Sequence, residues 1–133
     1  MLEEKIIMNK LIIDVAGEKI FLMIITNNNI YNITKENTKI NYEKLTLIIN
    51  DFLNSYKLNL NDINCIYLNR GPGSFAGIRN SLSIVKAIKL ITNIDYYCYS
   101  IEDFKGEKDI KHENIPNLCE KFKIEKNLIN PIY

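Results

Sequence analysis

The chain has 133 residues, a formal net charge of +1 at neutral pH, 47% apolar residues and 25% charged residues. This length predicts one domain, or one domain with a tail, that can bury a core. With a net charge near zero, the chain has no excess of basic residues that would favour binding to nucleic acid or to an anionic membrane. Any association with RNA therefore has to be indirect or to use a local basic patch. No apolar run reaches the roughly 18 residues of a membrane span, and the acidic start is not a signal peptide. We therefore expect a cytoplasmic protein that does not contact a membrane.

The first part of the chain alternates short apolar runs with turn residues. Residues 10–15 and 19–26 predict two strands, and the segment 16–18 between them has the length of a hairpin turn. Three asparagines at 27–29 form a second turn before a short third strand at 30–34. This pattern indicates an antiparallel meander.

Two helices are predicted after the meander. Apolar residues between 41 and 56 recur at helical spacing, which predicts a helix with Asn41 as its N-cap. A second helix is predicted over 76–91, with Ser74 as its N-cap. Its apolar residues spread over roughly 220° of the circumference, about twice the stripe that covers one sheet face. Either the first helix or another protein has to cover the apolar surface of this helix that the sheet leaves uncovered.

Further strands are predicted at 63–68 and 95–100, on either side of the second helix. The resulting order β-β-β-α-β-α-β, with right-handed crossovers that make the later strands parallel, predicts an α/β fold. This is the ribonuclease-H-like layout, which the actin-like ATPase (ASKHA) fold uses for each of its lobes. After residue 100 the pattern weakens. The charged segment 102–113 indicates a surface loop or mobile segment, and 118–128 fits a short helix loosely.

A glycine-rich turn connects the fourth strand to the second helix. Backbone amides at a helix N-terminus favour phosphate, so Gly71, Gly73 and Ser74 are candidate ligand residues. Asp14, at the end of the first strand, is a further candidate. Pro72 removes one amide donor from the turn, and the Gly-Lys-Ser/Thr of a P-loop is missing from the sequence. The alternative is a turn shaped only to pack strand against helix.

The sequence offers no other catalytic or metal-binding pattern. Cys65, Cys98 and Cys119 are an odd number at wide spacing, which favours free thiols over a disulfide framework or a zinc site. The first two of these are expected to be buried. His112, the only histidine, lies in a polar, lysine-rich stretch, and we expect it at the surface. Nothing in the sequence implies a metal or a cofactor.

The glycine turn resembles a known signature. The nine residues from Gly71 to Arg79 resemble the G-P-G-S-F-T-G-L-R sequence of the TsaB family, also called YeaZ. The residues that match are Gly71, Pro72, Gly73, Ser74, Phe75, Gly77 and Arg79. Ala76 and Ile78 stand where the family has Thr and Leu. The resemblance extends over roughly residues 9–100.

This resemblance implies a role and a set of partners. Residues 1–100 correspond to the N-terminal actin-like lobe, and 101–133 form a short tail, with room for one short helix, in place of the second lobe. TsaB-like proteins are non-catalytic. They pair with TsaD, the subunit that moves the threonylcarbamoyl group onto the adenosine next to the tRNA anticodon, and a small ATPase, TsaE, joins them. Contact with tRNA is indirect.

The family pairs through the two helices of its N-terminal lobe. We therefore expect residues of both predicted helices to be shared between core and partner interface: Leu45, Ile49, Phe52, Ile78, Leu82, Val85 and Ile88. Two alternatives stay open. One is a residual nucleotide-binding or ATPase-like domain that uses Asp14 and the 71–74 turn, and the other is a homodimer formed through the same helices.

Overall fold

The structure, a computed structural model, describes residues 7–133 and is built on one five-stranded sheet. The strands are β1 (Lys10–Asp14), β2 (Lys19–Ile25), β3 (Ile30–Glu36), β4 (Cys65–Asn69) and β5 (Asp95–Tyr99). The helices of this described part are α1 (Lys39–Glu43), α2 (Leu45–Ser55), α3 (Phe75–Thr92) and α4 (Ile115–Lys121). Short 3-10 helices occupy Leu60–Asp62, Ile101–Asp103 and His112–Asn114.

The sheet has the order β3-β2-β1-β4-β5. The pairs β1–β2 and β2–β3 are antiparallel, whereas β1–β4 and β4–β5 are parallel. Ile12, in the central strand, lies opposite Met23 on one side and Tyr67 on the other. The predicted α/β fold, a meander followed by parallel crossovers, is confirmed.

The helices α1 to α3 share one face of the sheet. Alternate strand residues such as Leu11, Ile13 and Ile66 point into this core, as the two-residue period of a strand requires. Side chains of α2 and α3, among them Ile49 and Leu82, complete this core from the helical side. Within residues 7–133, this is the larger of two apolar clusters.

The opposite face of the sheet is covered by the segment that follows β5. Ile12, Met23, Tyr67 and Tyr99 pack there against a set of buried residues from that segment: Phe104, Ile115, Leu118 and Cys119. The helix α4 ends at Lys121, so it lies earlier in the chain than the expected 118–128. A parallel strand such as β4 needs cover on both faces, and residues 101–124 supply the second cover.

The first helical region differs from its prediction. Instead of one helix over 41–56, the structure has α1 and α2, which are interrupted at Lys44. Thr38, rather than Asn41, is the N-cap of α1, and its side chain accepts a hydrogen bond from the Asn41 N–H (3.1 Å). The Asn41 side chain instead donates to the Glu36 carbonyl at the end of β3 (2.7 Å). N-cap propensity ranks asparagine above threonine, so residue type alone favours Asn41 and does not predict the observed cap.

The three cysteines are free, as expected. Cys98 and Cys119 are buried, and burial raises the pKa of each thiol to about 12. Cys65 is half-buried rather than fully buried. Among residues 7–133, none of the helices combines the length and the apolar character that a membrane crossing requires.

A matched pair of substitutions in α2 tests this packing. Ile49 is 1% exposed and Leu47 is 55% exposed. Ile49→Ala is expected to lower the free energy of unfolding by about 2–5 kcal/mol, because it removes buried methyl groups and leaves a cavity. Leu47→Ala is expected to change it by less than about 0.5 kcal/mol. Urea denaturation measures both, and equal losses would contradict the assignment of the two helix faces.

Candidate functional site: the signature turn and the carboxyl end of β1

The signature turn, residues 71–77, joins β4 to α3 and is held by the N-cap of that helix. The Ser74 hydroxyl accepts a hydrogen bond from the Gly77 N–H (3.1 Å), so the predicted cap is confirmed. The same hydroxyl lies 3.0 Å from the hydroxyl of Tyr42 in α1. The turn therefore ties α1 to the start of α3.

Several amides of the turn already donate to the protein. The Gly71 N–H donates to the side chain of Asn69 (2.9 Å), and the Ser74 N–H donates to the Ala16 carbonyl (2.8 Å). Pro72, which follows a cis peptide bond, has no N–H. An anion cradle needs free amides that converge on the ligand. The amides at 71, 72 and 74 do not meet that requirement.

The glycines of the turn allow backbones to approach closely. A Cβ atom on Gly73 would lie 2.1 Å from the Ala16 carbonyl oxygen, and one on Gly77 would lie 2.2 Å from that of Val15. At Gly71, where φ is +107°, a Cβ would lie 1.9 Å from the carbonyl oxygen of Ile132. These glycines pack the turn against the β1–β2 connection on one side. On the other side they pack it against the last residues of the chain, 130–133, which we call the C-terminal tail below. The geometry favours the packing explanation over a phosphate site.

Asp14 ends β1 beside this turn, and its carboxylate is engaged by the protein. One oxygen accepts from the Asn69 side-chain amide (3.2 Å) and from the Ala16 N–H (3.3 Å). The other lies 2.9 Å from Nε2 of His112, whose ring stacks on Phe21 with 3.9 Å between ring centroids. His112 was expected at the surface, and its side chain is 36% exposed there, but it is also engaged by the protein. It is half-buried, because residues 101–124 fold back over the sheet and bring it to β1.

Arg70, which precedes the turn, is a structural residue that the sequence did not single out. Its guanidinium forms an ion pair with Asp103 (2.7 Å) and donates to the Asn130 carbonyl (3.0 Å). Its own carbonyl accepts from the Ile132 N–H (2.8 Å). One residue thus links the end of β4 to both the segment after β5 and the C-terminal tail. No local pattern signals such contacts, since the partners lie 33 and 60 residues away.

The tail ends against the exposed part of the turn. The ring of Tyr133 lies 4.6 Å from that of Phe75, and both side chains are more than half exposed. Arg79, the last signature residue, is also exposed. The signature therefore has a packed part at the glycines and an open part on α3.

The residues expected at the partner interface lie in the core. All seven are at most 7% exposed: Leu45, Ile49, Phe52, Ile78, Leu82, Val85 and Ile88. The wide apolar arc of α3 is divided between the core and the surface. Ile84 is half-buried, whereas Ala87 and Ile91 face outward. Any partner surface on these helices is formed by their outward residues.

An open groove of about 460 Å³ runs between the first two helices and α3. Tyr42 and Thr46 line one wall, and Arg79 and Ile84 line the other. The Asn80 side chain bridges the walls by donating to the Tyr42 carbonyl (2.6 Å). The groove gives this helical surface a shape that a protruding side chain can enter.

Comparison with known proteins identifies the family. Residues 35–101, about half of the chain and including the whole signature turn, match the family model described as "TsaD: tRNA N6-adenosine threonylcarbamoyltransferase". The chain belongs to the family of this model, and within it to the TsaB (YeaZ) proteins. Two curated relatives from Buchnera aphidicola carry the name "tRNA threonylcarbamoyladenosine biosynthesis protein TsaB". One is 33% identical over 75 residues, 56% of this chain, and the other is 26% identical over 98 residues, 74% of this chain.

Solved structures agree on the fold. "YeaZ from Pseudomonas aeruginosa" superposes with a TM-score of 0.65 at 18% identity and covers 70% of this chain and 44% of that protein. A RuvC from T. thermophilus, solved "in complex with Holliday junction substrate", reaches 0.51 at 10% identity and covers 74% of this chain and 68% of that protein. At sequence identities this low, the superpositions support only the ribonuclease-H-like and actin-like fold. The chain spans between 34% and 47% of the length of the curated TsaB relatives that it matches.

Replacing the helix glycine of the signature tests the close approach. Alanine is normally the better helix former by about 1 kcal/mol. Gly77→Ala is nevertheless expected to lower the free energy of unfolding by about 1–3 kcal/mol, because the new methyl group meets the Val15 carbonyl.

Gly17→Ala is the matched control, since a Cβ there meets nothing within 4 Å. Chemical denaturation compares both variants with the wild type. A stabilised Gly77→Ala protein would show that the close contact does not constrain the turn.

Proposed function

We propose that this TsaB-type chain is a cytoplasmic, non-catalytic partner subunit in the threonylcarbamoyladenosine modification of tRNA. It pairs through α1 to α3 with a TsaD-type transferase, and a TsaE-type ATPase joins the pair. Membership of the family, and the biosynthetic name that its curated relatives carry, support the pathway. The surface of the helices supports the pairing.

The observation that carries the proposal is an outward apolar surface on these helices, which we call the outer helical face. It comprises the exposed apolar residues Ile40, Leu47, Ala76, Ala87, Leu90 and Ile91 and the small polar residue Ser83. Leu90 and Ile91 are 82% and 84% exposed, and Ile40 and Leu47 are both more than half exposed. Exposed apolar side chains of this size on neighbouring helices favour a surface that another protein covers.

The shape of α3 suits a helical partner. At 100° per residue, its outward stripe follows the small side chains of Ala76, Ser83 and Ala87 and ends at Ile91. Small residues let a second helix approach closely, and the apolar end gives that helix a large contact. Lys39 and Arg79 at the adjoining groove add a polar margin, as is common around apolar interface cores.

The contacts at β1 favour a partner role over the nucleotide-binding alternative. The Asp14 carboxylate accepts hydrogen bonds from Asn69 and Ala16 and pairs with His112. The turn amides of Gly71 and Ser74 donate to Asn69 and Ala16. A metal–nucleotide complex at this end of β1 has to displace these internal partners first.

Co-expression with the TsaD-type protein of the same genome tests the pairing. Size-exclusion chromatography with light scattering is expected to show a heterodimer. Leu47→Glu and Ile91→Glu are each expected to weaken it at least about tenfold, since an unpaired carboxylate in a desolvated interface costs more than about 1.4 kcal/mol. A charge at Leu82 is unsuitable, because that side chain is buried and the variant tests folding instead.

Ile30→Glu is the matched control, because Ile30 is 51% exposed on strand β3, outside the three helices. It is expected to leave the heterodimer intact, and circular dichroism verifies that all three variants fold. A homodimer that forms whether or not the TsaD-type protein is present would contradict the proposed pairing and would indicate self-association instead. ATP turnover by the purified chain alone would contradict the non-catalytic assignment.

A further inference from the structure

The strand β3 forms an open edge of the sheet. At the opposite edge, the chain itself covers β5. Tyr97 forms an antiparallel bridge with Lys126, and the N–H of the next residue donates to the carbonyl of Tyr96 (2.7 Å). Within residues 7–133, β3 pairs with β2 and has no strand on its outer side. An edge of this kind is a template for an extended polypeptide chain.

The β2–β3 hairpin shows which backbone groups of β3 point outward. The Thr26 N–H donates to the Asn29 carbonyl (2.9 Å), so these residues form a hydrogen-bonded pair beside the turn. Hydrogen-bonded and non-hydrogen-bonded pairs alternate along an antiparallel ladder. With the observed register, every second residue of β3 therefore directs its N–H and C=O groups away from β2: Ile30, Asn32, Thr34 and Glu36. Among the described residues, one of these groups has a partner, the Glu36 carbonyl, which accepts from the Asn41 side chain (2.7 Å).

A groove of about 420 Å³ lies beside this edge, between β3 and α2. Three half-buried apolar side chains line it and are accessible from it: Ile33, Ile48 and Tyr56. Thr34 lines the groove as well, so the groove is continuous with the free edge. An apolar cavity of about 150 Å³ already holds a benzene molecule. The groove therefore has room for a large aliphatic or aromatic side chain.

Pairing geometry places one side chain of an added strand at this groove. Side chains alternate between the two faces of a sheet, and residues directly opposite one another point to the same face. Ile33 points to the helical face, where it packs against the core. The residue opposite Ile33 in an added strand therefore points to the helical face too, with about 5 Å between the two Cβ atoms. Its side chain lies over the groove.

Backbone geometry, rather than charge, defines the ligand. Lys35 and Asp51 also line the groove, so its charges select neither an anion nor a cation. The outward N–H and C=O groups of β3 pair with any extended backbone, whose own groups have the same spacing. Lys35 and Glu36 place two exposed charges on this edge, and charged edge residues discourage pairing between two copies of a chain. A segment of another protein is therefore the occupant that these features fit.

We propose that the outer edge of β3 binds an extended segment of another protein as an added antiparallel strand. Backbone hydrogen bonds to residues 30, 32, 34 and 36 hold the segment, and an aliphatic or aromatic side chain opposite Ile33 occupies the groove. None of the residues that line this groove belongs to the outer helical face. The site therefore does not depend on the proposed pairing with a TsaD-type protein.

A capped heptapeptide, Lys-Thr-Thr-Phe-Thr-Val-Thr, is a suitable probe, because its central phenylalanine lies opposite Ile33 when its ends match those of β3. NMR titration of the labelled full chain is expected to give saturable shifts at residues 30–36. Alanine in place of the phenylalanine is expected to weaken binding at least about fivefold, because less apolar surface is buried in the groove.

Two methylated forms of the peptide test the backbone pairing on the unaltered protein. N-methyl groups on the third and fifth residues remove two N–H donors that face β3, and they are expected to weaken binding at least about tenfold. N-methyl groups on the fourth and sixth residues are the matched control. The N–H groups of these residues face away from β3, so the affinity is expected to change by less than about threefold.

Thr34→Pro blocks the edge on the protein side. The Thr34 N–H points away from β2, and an edge strand tolerates proline at such a position. Circular dichroism and the thermal midpoint verify that the variant folds. It is expected to reduce the affinity for the heptapeptide at least about tenfold, whereas Thr34→Val keeps the N–H and is expected to bind like the wild type.

The proposal is overturned if the heptapeptide at millimolar concentration gives no saturable shift, or if the two methylated forms bind alike. It is also overturned if Thr34→Pro binds the peptide as tightly as Thr34→Val does. Light scattering provides the last check. A dimer that Thr34→Pro dissociates would show that a second copy occupies the edge, which would contradict the proposal as well.

Discussion

The close approach of the signature turn to the end of β1 is the constraint on which the rest of the structure depends. Gly73 and Gly77 bring the turn within contact of the Ala16 and Val15 carbonyls, where no side chain fits. This contact sets the start of α3 over the sheet, and Ser74 then caps the helix and reaches Tyr42 of α1. Because the start of α3 is fixed in this way, its buried stripe meets the core and its small outward residues form one continuous face.

The second cover of the sheet determines what the end of β1 can do. The segment after β5 buries Phe104 and Ile115 against the sheet and carries His112 to Asp14. The ion pair between Arg70 and Asp103 fastens this segment to the end of β4. A carboxylate in a position typical of nucleotide chemistry in this fold is therefore held by internal contacts.

The two sides of the sheet thus differ in what covers them. On the helical side, the outer helical face presents large apolar side chains such as Leu90 and Ile91 at high exposure, which suits a protein partner. On the other side, residues 101–124 cover the sheet, and the Asp14 carboxylate pairs with His112. The sheet separates the two regions. Substitutions in one are therefore expected to leave the other unchanged.

The sequence by itself determined the features that depend on local chemistry. Apolar runs placed the five strands, the glycine turn indicated both the strand–helix connection and the family, and Ser74 was recognised as a cap. The break at Lys44 was not predictable, because the helical pattern of apolar residues runs through it. Tertiary structure alone decided which apolar residues are core, why Arg70 matters and where His112 lies. These depend on contacts between residues far apart in the chain, and a period of 3.6 or 2 residues carries no information about such contacts.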